Sequence, residues 1–184
     1  MRVIAGKYRS RKLVAPPGLE TRPTSDRLRE TLFNVVAGFV PGSIWLDVFA
    51  GSGAVGIEAL SRGAKKVYLV ESASPAVRAI RANLKSLGVA EGFEIVDRDA
   101  LAALAQLETR NVSCDFSFVD PPYRKTRDYE KILVFLSQAK LLRPGGLVIA
   151  EHDKHFDPGE SFGPLGRRRK LRQGDAVLSF YARD

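Results

Sequence analysis

Between residues 44 and 150, short apolar runs alternate with amphipathic stretches, and this order constrains the fold more than any other feature of the chain. The runs Ile44 to Phe49, Val67 to Val70, Phe93 to Val96, Phe116 to Val119 and Leu147 to Ala150 have the length of buried strands. Between them lie helical segments at Val55 to Leu60 and Tyr129 to Ala139, and one with Ser74 as cap, Pro75 in its first turn and Gly88 at its end. In that last segment Val77, Ile80, Leu84 and Leu87 share one face. Strand and helix in alternation require right-handed crossovers, a parallel sheet and a doubly wound α/β domain. At the carboxyl end, Arg167 to Arg172 and Val177 to Tyr181 flank Gln173-Gly174-Asp175, the pattern of an antiparallel hairpin. The expected architecture is thus a mostly parallel, seven-stranded sheet closed by that hairpin.

The amino-terminal part differs in kind. Val3 to Leu13 alternates briefly before Pro16-Pro17-Gly18 breaks the chain, so residues 1–20 are expected to form a small hairpin or arm. Thr24, Ser25 and Asp26 can cap a helix carrying Leu28, Leu32, Val35 and Val36, which Pro41-Gly42 ends. Residues 1–40 are therefore read as an extension and 41–184 as the main domain. The aromatic residues Phe33, Phe39 and Trp45 are read as core packing.

Charge is unevenly spread. The 29 Lys and Arg exceed the 21 Asp and Glu, giving a net charge of +8. The excess sits at the two ends. Arg2, Lys7, Arg9, Arg11, Lys12, Arg22, Arg27 and Arg29 face only Glu20 and Asp26 in the first 29 residues. Arg167, Arg168, Arg169, Lys170 and Arg172 form a second cluster. An acidic body with basic ends suits a polyanion such as nucleic acid, the alternative being a solvated basic face. The lone Cys114 cannot form an internal disulfide, and no apolar run has the length of a membrane span. The expectation is a soluble, cytoplasmic protein that does not engage a membrane and is monomeric.

In a doubly wound sheet, ligands bind beyond the carboxyl ends of the strands. There Gly51-Ser52-Gly53-Ala54-Val55-Gly56 follows a strand and opens a helix. This spacing fits a dinucleotide site, with Glu71 twenty residues on. Asp47, four residues before the loop, breaks the tie, because a carboxylate there opposes a pyrophosphate and suits a cationic ligand. S-adenosylmethionine, with a sulfonium, an ammonium and no phosphate, meets that requirement. Asp47 would attract its positive end, directly or through water, and the loop at Gly51, Ser52 and Gly53 would contact its amino-acid portion. Glu71 would accept from the ribose hydroxyls, and Asp99-Ala100 would meet the adenine edge. Asp99 has a second reading as the cap of the helix through Leu101 and Leu104.

Asp120-Pro121-Pro122-Tyr123 ends the strand Phe116 to Val119. Two consecutive prolines fix φ twice and remove two amide hydrogens, leaving a rigid turn of carbonyls without competing donors. A planar NH₂ can give one hydrogen to Asp120 and the other to the Pro121 carbonyl while Tyr123 stacks on its base.

Asp47-Val48-Phe49-Ala50-Gly51-Ser52-Gly53, Glu71 and Asp120-Pro121-Pro122-Tyr123 resemble the Rossmann-like, class I S-adenosylmethionine-dependent amino methyltransferases. The stretch Arg22 to Asn34, the opening Arg2-Val3-Ile4-Ala5-Gly6 and the Gly174-Asp175 turn are similar to the bacterial 16S ribosomal RNA guanine-N2 methyltransferases of the RsmD type. One position departs from that pattern, Ala176 standing where threonine is expected. The resemblance implies S-adenosylmethionine as cofactor and methylation of the exocyclic amine of one guanine in 16S rRNA, on the small ribosomal subunit or a late assembly particle. Three rival activities share part of the pattern: a DNA amino methyltransferase, a protein-amide methyltransferase, and an RNA-binding assembly factor without catalysis.

Arg9, Arg11, Lys12, Arg167, Arg168, Arg169 and Lys170 are the candidate phosphate contacts. Arg22, Arg27 and Arg29 stand closer in sequence to the site and are read as facing cofactor, RNA or only the helix surface. Glu151-His152-Asp153 and His155 lack the further His or Cys of a metal centre, so no metal is expected.

Overall fold

The computed structural model describes residues 1–16, 24–122 and 126–183. The elements run in the order helix α1 (Asp26–Val35), strand β1 (Ile44–Val48), α2 (Ala54–Ser61), β2 (Lys66–Glu71), α3 (Ser74–Leu87), β3 (Phe93–Asp97), α4 (Ala100–Thr109), β4 (Cys114–Val119) and α5 (Thr126–Gln138). Strands β5 (Leu142–Asp153), β6 (Ser161–Phe162), β7 (Leu165–Gln173) and β8 (Ala176–Arg183) complete the chain. They form one sheet in the order β3-β2-β1-β4-β5-β8-β7-β6. The first five strands are parallel and the last three antiparallel.

The sheet has eight strands where seven were expected. The extra one, β6, is two residues long and follows a Pro-Gly segment, too short to leave a period-two pattern. Strand β5 also exceeds its apolar run at both ends. Leu142 pairs with Cys114 across a bulge that absorbs Pro144, Gly145 and Gly146. Beyond Ala150, the polar Glu151, His152 and Asp153 continue the ladder against β8.

Alternate residues of each central strand serve opposite faces. Trp45, Leu69, Phe116 and Ile149 join Leu32, Ile57 and Ile80 in one apolar cluster, while Leu46, Val48, Val70 and Val148 join Leu104, Leu107 and Leu133 in the other. Trp45 stacks between Phe33 and Phe116 at centroid distances of 5.1 and 4.6 Å. Phe39 corrects the core assignment, because it is 74% exposed on a short 3-10 turn whose neighbours Val36 and Val40 take the buried places.

Ser25 caps α1, its Oγ accepting from the Leu28 amide at 3.1 Å. Helix α3 begins one residue earlier than expected, at Ser74 itself with Ala73 in the cap position, and is closed by Gly88 with φ +69°.

The amino-terminal arm is closed by one bridge, Arg2 to Lys12, and is docked on α2. The Glu58 carboxylate accepts from the amides of Ile4 and Ala5 at 2.7 and 3.0 Å, and Ser61 Oγ accepts from the Tyr8 amide at 2.9 Å. Glycine is required at position 6, where φ is +80° and a Cβ would lie 1.8 Å from the Ser61 carbonyl oxygen. Val3, Leu13, Leu28 and Leu32 belong to the same cluster as Trp45, so the extension shares the main core. Among the described residues no helix is long and apolar enough to cross a membrane.

Candidate active site

Strands β1, β2 and β4 end at one cavity of about 230 Å³ on the carboxyl edge of the sheet. It gathers Asp47, Gly51 and Ser52 from the first crossover, Glu71 from β2, Asp99 and Ala100 at the start of α4, and Asp120, Pro121 and Pro122 after β4. Residues separated by more than seventy positions in sequence thus meet where parallel strands stop. Tyr123 and Arg22 lie outside the described residues. Gly53 is not on the cavity wall. It opens α2 with φ +76°, and its amide donates to the Ala50 carbonyl at 2.7 Å, so it shapes the loop.

Sequence reasoning missed part of the wall. Phe49 lines it and holds φ at +66°, a left-handed conformation that a bulky side chain seldom adopts and that turns the chain sharply into the glycine loop. Ser72 and Ala73 follow β2 directly, so the rule that ligands meet strand ends would have found them. Met1, Ala15, Pro16 and Thr24 reach the cavity only because the amino-terminal segment docks there, which no local pattern announces.

Each carboxylate of the site has a different environment. Asp47 is 2% exposed and accepts from the Gly56 amide at 2.9 Å. Burial pushes its pKa up to about 7, Gly56 opposes the rise and Glu71 adds to it. A carboxylate so placed, with no lysine or arginine pairing it among the described residues, is matched to a cationic ligand. Glu71 accepts from the amides of Gly51, Ser72 and Ala73 at 2.8, 2.9 and 2.8 Å. Three donors leave room for about one more on a carboxylate, so Glu71 can hold a single hydroxyl. Asp99 accepts from the Leu101 amide at 3.1 Å as the cap of α4, and it also borders the cavity.

Asp120 lines the cavity and is half-buried there. Its pKa is raised well above the ordinary carboxyl range, first by burial and then by Glu151 and Asp47. Glu151 is buried beside it on β5, with Oε2 accepting from Thr24 Oγ1 at 2.7 Å. His152 is likewise buried, its Nε2 at 2.9 Å from Ser179 Oγ.

These observations fit S-adenosylmethionine. Asp47 would hold its cationic end, the Gly51-Ser52 backbone its amino-acid portion, Glu71 a ribose hydroxyl and Asp99-Ala100 the base.

The basic residues divide. Arg29 is removed from any RNA contact, because it is fully buried. Its Nη2 donates to the Arg2 carbonyl at 2.7 Å and Asp26 Oδ1 at 2.6 Å, with Glu58 4.0 Å from Nη1, so it ties α1 to the docked arm. The Arg167 side chain is only 12% exposed and is paired with Asp157 at 2.5 Å, which also holds Lys170 at 2.8 Å. Arg9, Arg11, Lys12, Arg27, Arg168, Arg169 and Lys170 are exposed. Strand register orders the carboxyl-terminal cluster: Leu171 is level with Glu151 through Leu178, and Arg167 with Val148 through Tyr181. Arg167 is thus roughly 10 Å back from the catalytic edge, three residues along a strand. Arg172, exposed beside the Gly174 turn, lies nearer that edge.

The family model described as "Conserved hypothetical protein 95" matches residues 1–182. A Bacillus subtilis (strain 168) protein, YlbH, provisionally named an rRNA methyltransferase, is 35% identical over 98% of both chains. Ribosomal RNA small subunit methyltransferase D of Haemophilus influenzae is 37% identical over 84% of this chain and 79% of its own. Among solved structures, the Escherichia coli yhhF protein, provisionally called a methyltransferase, superposes with a TM-score of 0.83 and 34% identity, covering 100% of this chain and 98% of that one. With a model matching nearly its whole length and relatives of this similarity, the chain belongs to the Conserved hypothetical protein 95 family, the RsmD-type methyltransferases that its motifs resemble.

Proposed function

We propose that this protein methylates the exocyclic N2 of one guanine in small-subunit ribosomal RNA, on the assembled or nearly assembled particle, using S-adenosylmethionine. The observation that carries the reading is the meeting, in one cavity, of Asp120-Pro121-Pro122 with the glycine loop, Glu71 and the buried Asp47. S-adenosylmethionine supplies an electrophilic methyl group carried on a sulfonium.

The chain's own residues do the rest by placement. Asp120 and the Pro121 carbonyl take the two hydrogens of the amine, which leaves its lone pair aimed into the cavity. Neither proline carries an amide hydrogen that competes for those acceptors. Tyr123, next in sequence, is assigned to stacking on the extruded base, an interaction of about 1–3 kcal/mol per base. Asp120 need not take a proton before attack, because a guanine amine is neutral. The exposed arginines and lysines of the docked arm and of β7 supply phosphate contacts that set position and carry no base identity.

The test is incubation with labelled S-adenosylmethionine and small subunits lacking the modification, followed by nuclease digestion and mass spectrometry. Label at N2 of one guanine is the expected result. Label appearing only in DNA or in a protein amide overturns the acceptor assignment.

A further inference from the structure

The site holds one buried ionisable group that amine positioning does not use. Asp120 follows Val119, the last residue of β4, and Val119 is paired with Ala150, so Asp120 comes beside Glu151, which still lies within the parallel neighbour β5. Glu151 is 5% exposed and is absent from the cavity wall, so it stands behind Asp120 as seen from the ligand. Two features fix it. Its Oε2 accepts from Thr24 Oγ1 at 2.7 Å, and its backbone carbonyl accepts from the Tyr129 hydroxyl at 2.6 Å. Thr24 itself borders the cavity, so the segment leading into α1 is fastened to the catalytic edge through this one carboxylate.

Two carboxylates placed together in a buried site disfavour each other's ionisation. Such proximity is a poor way to stabilise a fold and a direct way to make one of the pair a better proton acceptor. We propose that Glu151 is a positioning residue that makes Asp120 the acceptor of the amine proton, with Thr24 holding Glu151 in place. The inference rests on the amine acceptor proposed above. The step balances. The nitrogen gains the methyl carbon as the donor's carbon–sulfur bond breaks with its electron pair left on sulfur. One N–H proton then passes to the Asp120 carboxylate and from there to water.

Among the described residues, the charged groups bearing on Asp120 are Glu151 from β5 and Asp47 from β1, and both raise its proton affinity. The reaction needs Asp120 ionised, so the rate rises with pH through its pKa and the acid limb of the profile reports that group. Removing the charge of Glu151 lowers the pKa. The limb then moves to lower pH and Asp120 becomes a weaker acceptor on the plateau.

The experiment is the single-turnover rate on unmodified small subunits between pH 5 and 9, with cofactor affinity measured by calorimetry. In Glu151→Gln the acid limb is expected to fall by about one pH unit, and the plateau rate by about three- to tenfold, with cofactor affinity within about twofold of wild type. Glu151→Asp, which keeps the charge, restores the limb. Thr24→Val removes one hydroxyl and keeps the side chain's shape, and it moves the limb in the same direction by less, which tests the inference even where the glutamine variant folds poorly. A limb unmoved in both Glu151→Gln and Thr24→Val, or a defect confined to cofactor affinity, overturns the assignment and leaves the proposed function standing. A wild-type enzyme that places no methyl on guanine N2 overturns both.

Discussion

The two ends of the cavity use carboxylates in opposite ways. At the β2 end, Glu71 is held by three backbone amides from two loops, so its geometry is set by the main chain and its charge is met by donors. At the β4 end, Asp120 faces Glu151 and Asp47, and burial and like charge act together on it. The first arrangement makes a rigid acceptor for a neutral hydroxyl. The second makes a group whose proton affinity is tuned and whose ionisation responds to what binds. Asp47 stands between them, more deeply buried than Asp120 and given one amide, from Gly56. A site that must hold a ligand at one end and handle a proton at the other needs this inequality.

Removing Asp120 breaks the comparison most severely. Asp120→Ala is expected to lower the single-turnover rate by about 10²–10⁴-fold, the range of a positioned acid or base, with calorimetric cofactor affinity changed by no more than about threefold. Retention of full turnover would remove Asp120 from the chemistry.

Asp47→Asn acts at the other end. Loss of a charged partner of about 1.5–3 kcal/mol is expected to weaken cofactor binding by roughly 10- to 100-fold. In the wild type, affinity should rise with pH through about 7 as Asp47 ionises, and the variant should lose that dependence. Stability of the empty protein runs the other way. The folded pKa of about 7 lies above the ordinary value of 3.8, so the native state loses stability as pH rises between them. The gain in Tm from Asp47→Asn should therefore be larger at pH 8 than at pH 5. Equal melting shifts at the two values would show that burial does not set this group.

Gly6→Ala tests whether the arm is part of the domain. A Cβ there meets the Ser61 carbonyl oxygen at 1.8 Å, so a loss of about 1–3 kcal/mol is expected by chemical denaturation. Wild-type stability would mean that the arm detaches freely.

The smallest effect separates the exposed arginines of β7 from the less exposed Arg167. Replacing the exposed Arg169 and Arg172 together by Gln should leave the melting temperature nearly unchanged. It should reduce the salt slope of RNA binding by about 0.7 for each single-strand phosphate that is no longer neutralised. Arg167→Gln should instead lower the melting temperature slightly, through the loss of Asp157 as its partner. Identical behaviour of the two variants would erase the distinction drawn by exposure.

What the sequence discloses follows the same division. The parallel half is legible because each strand is a compact apolar run and the residues of interest come directly after it. Asp47, Glu71 and Asp120 all fall there. The docked half is not, because its partners are far apart along the chain. Arg29 reads as a charge on an amphipathic helix, and its burial depends on Arg2, Asp26 and Glu58. Thr24 reads as a cap candidate, yet Ser25 takes that place and Thr24 turns to Glu151. Phe39 misleads in the other direction, since hydrophobicity alone cannot tell a buried ring from one on an exposed turn. Strand β6 depends on β7 for its existence and has too few residues to declare itself.

The docked arm also orders events in time. Its anchors lie far downstream: Glu58 and Ser61 are 53 or 54 residues beyond the amides they receive, and Asn83 is 69 residues beyond Val14. During synthesis the arm's residues are made before α2 and α3 and must wait for those helices before they can settle. Met1, Ala15 and Pro16 form part of the cavity wall, so that wall closes only once those helices are in place. A partly made chain therefore cannot present a finished pocket.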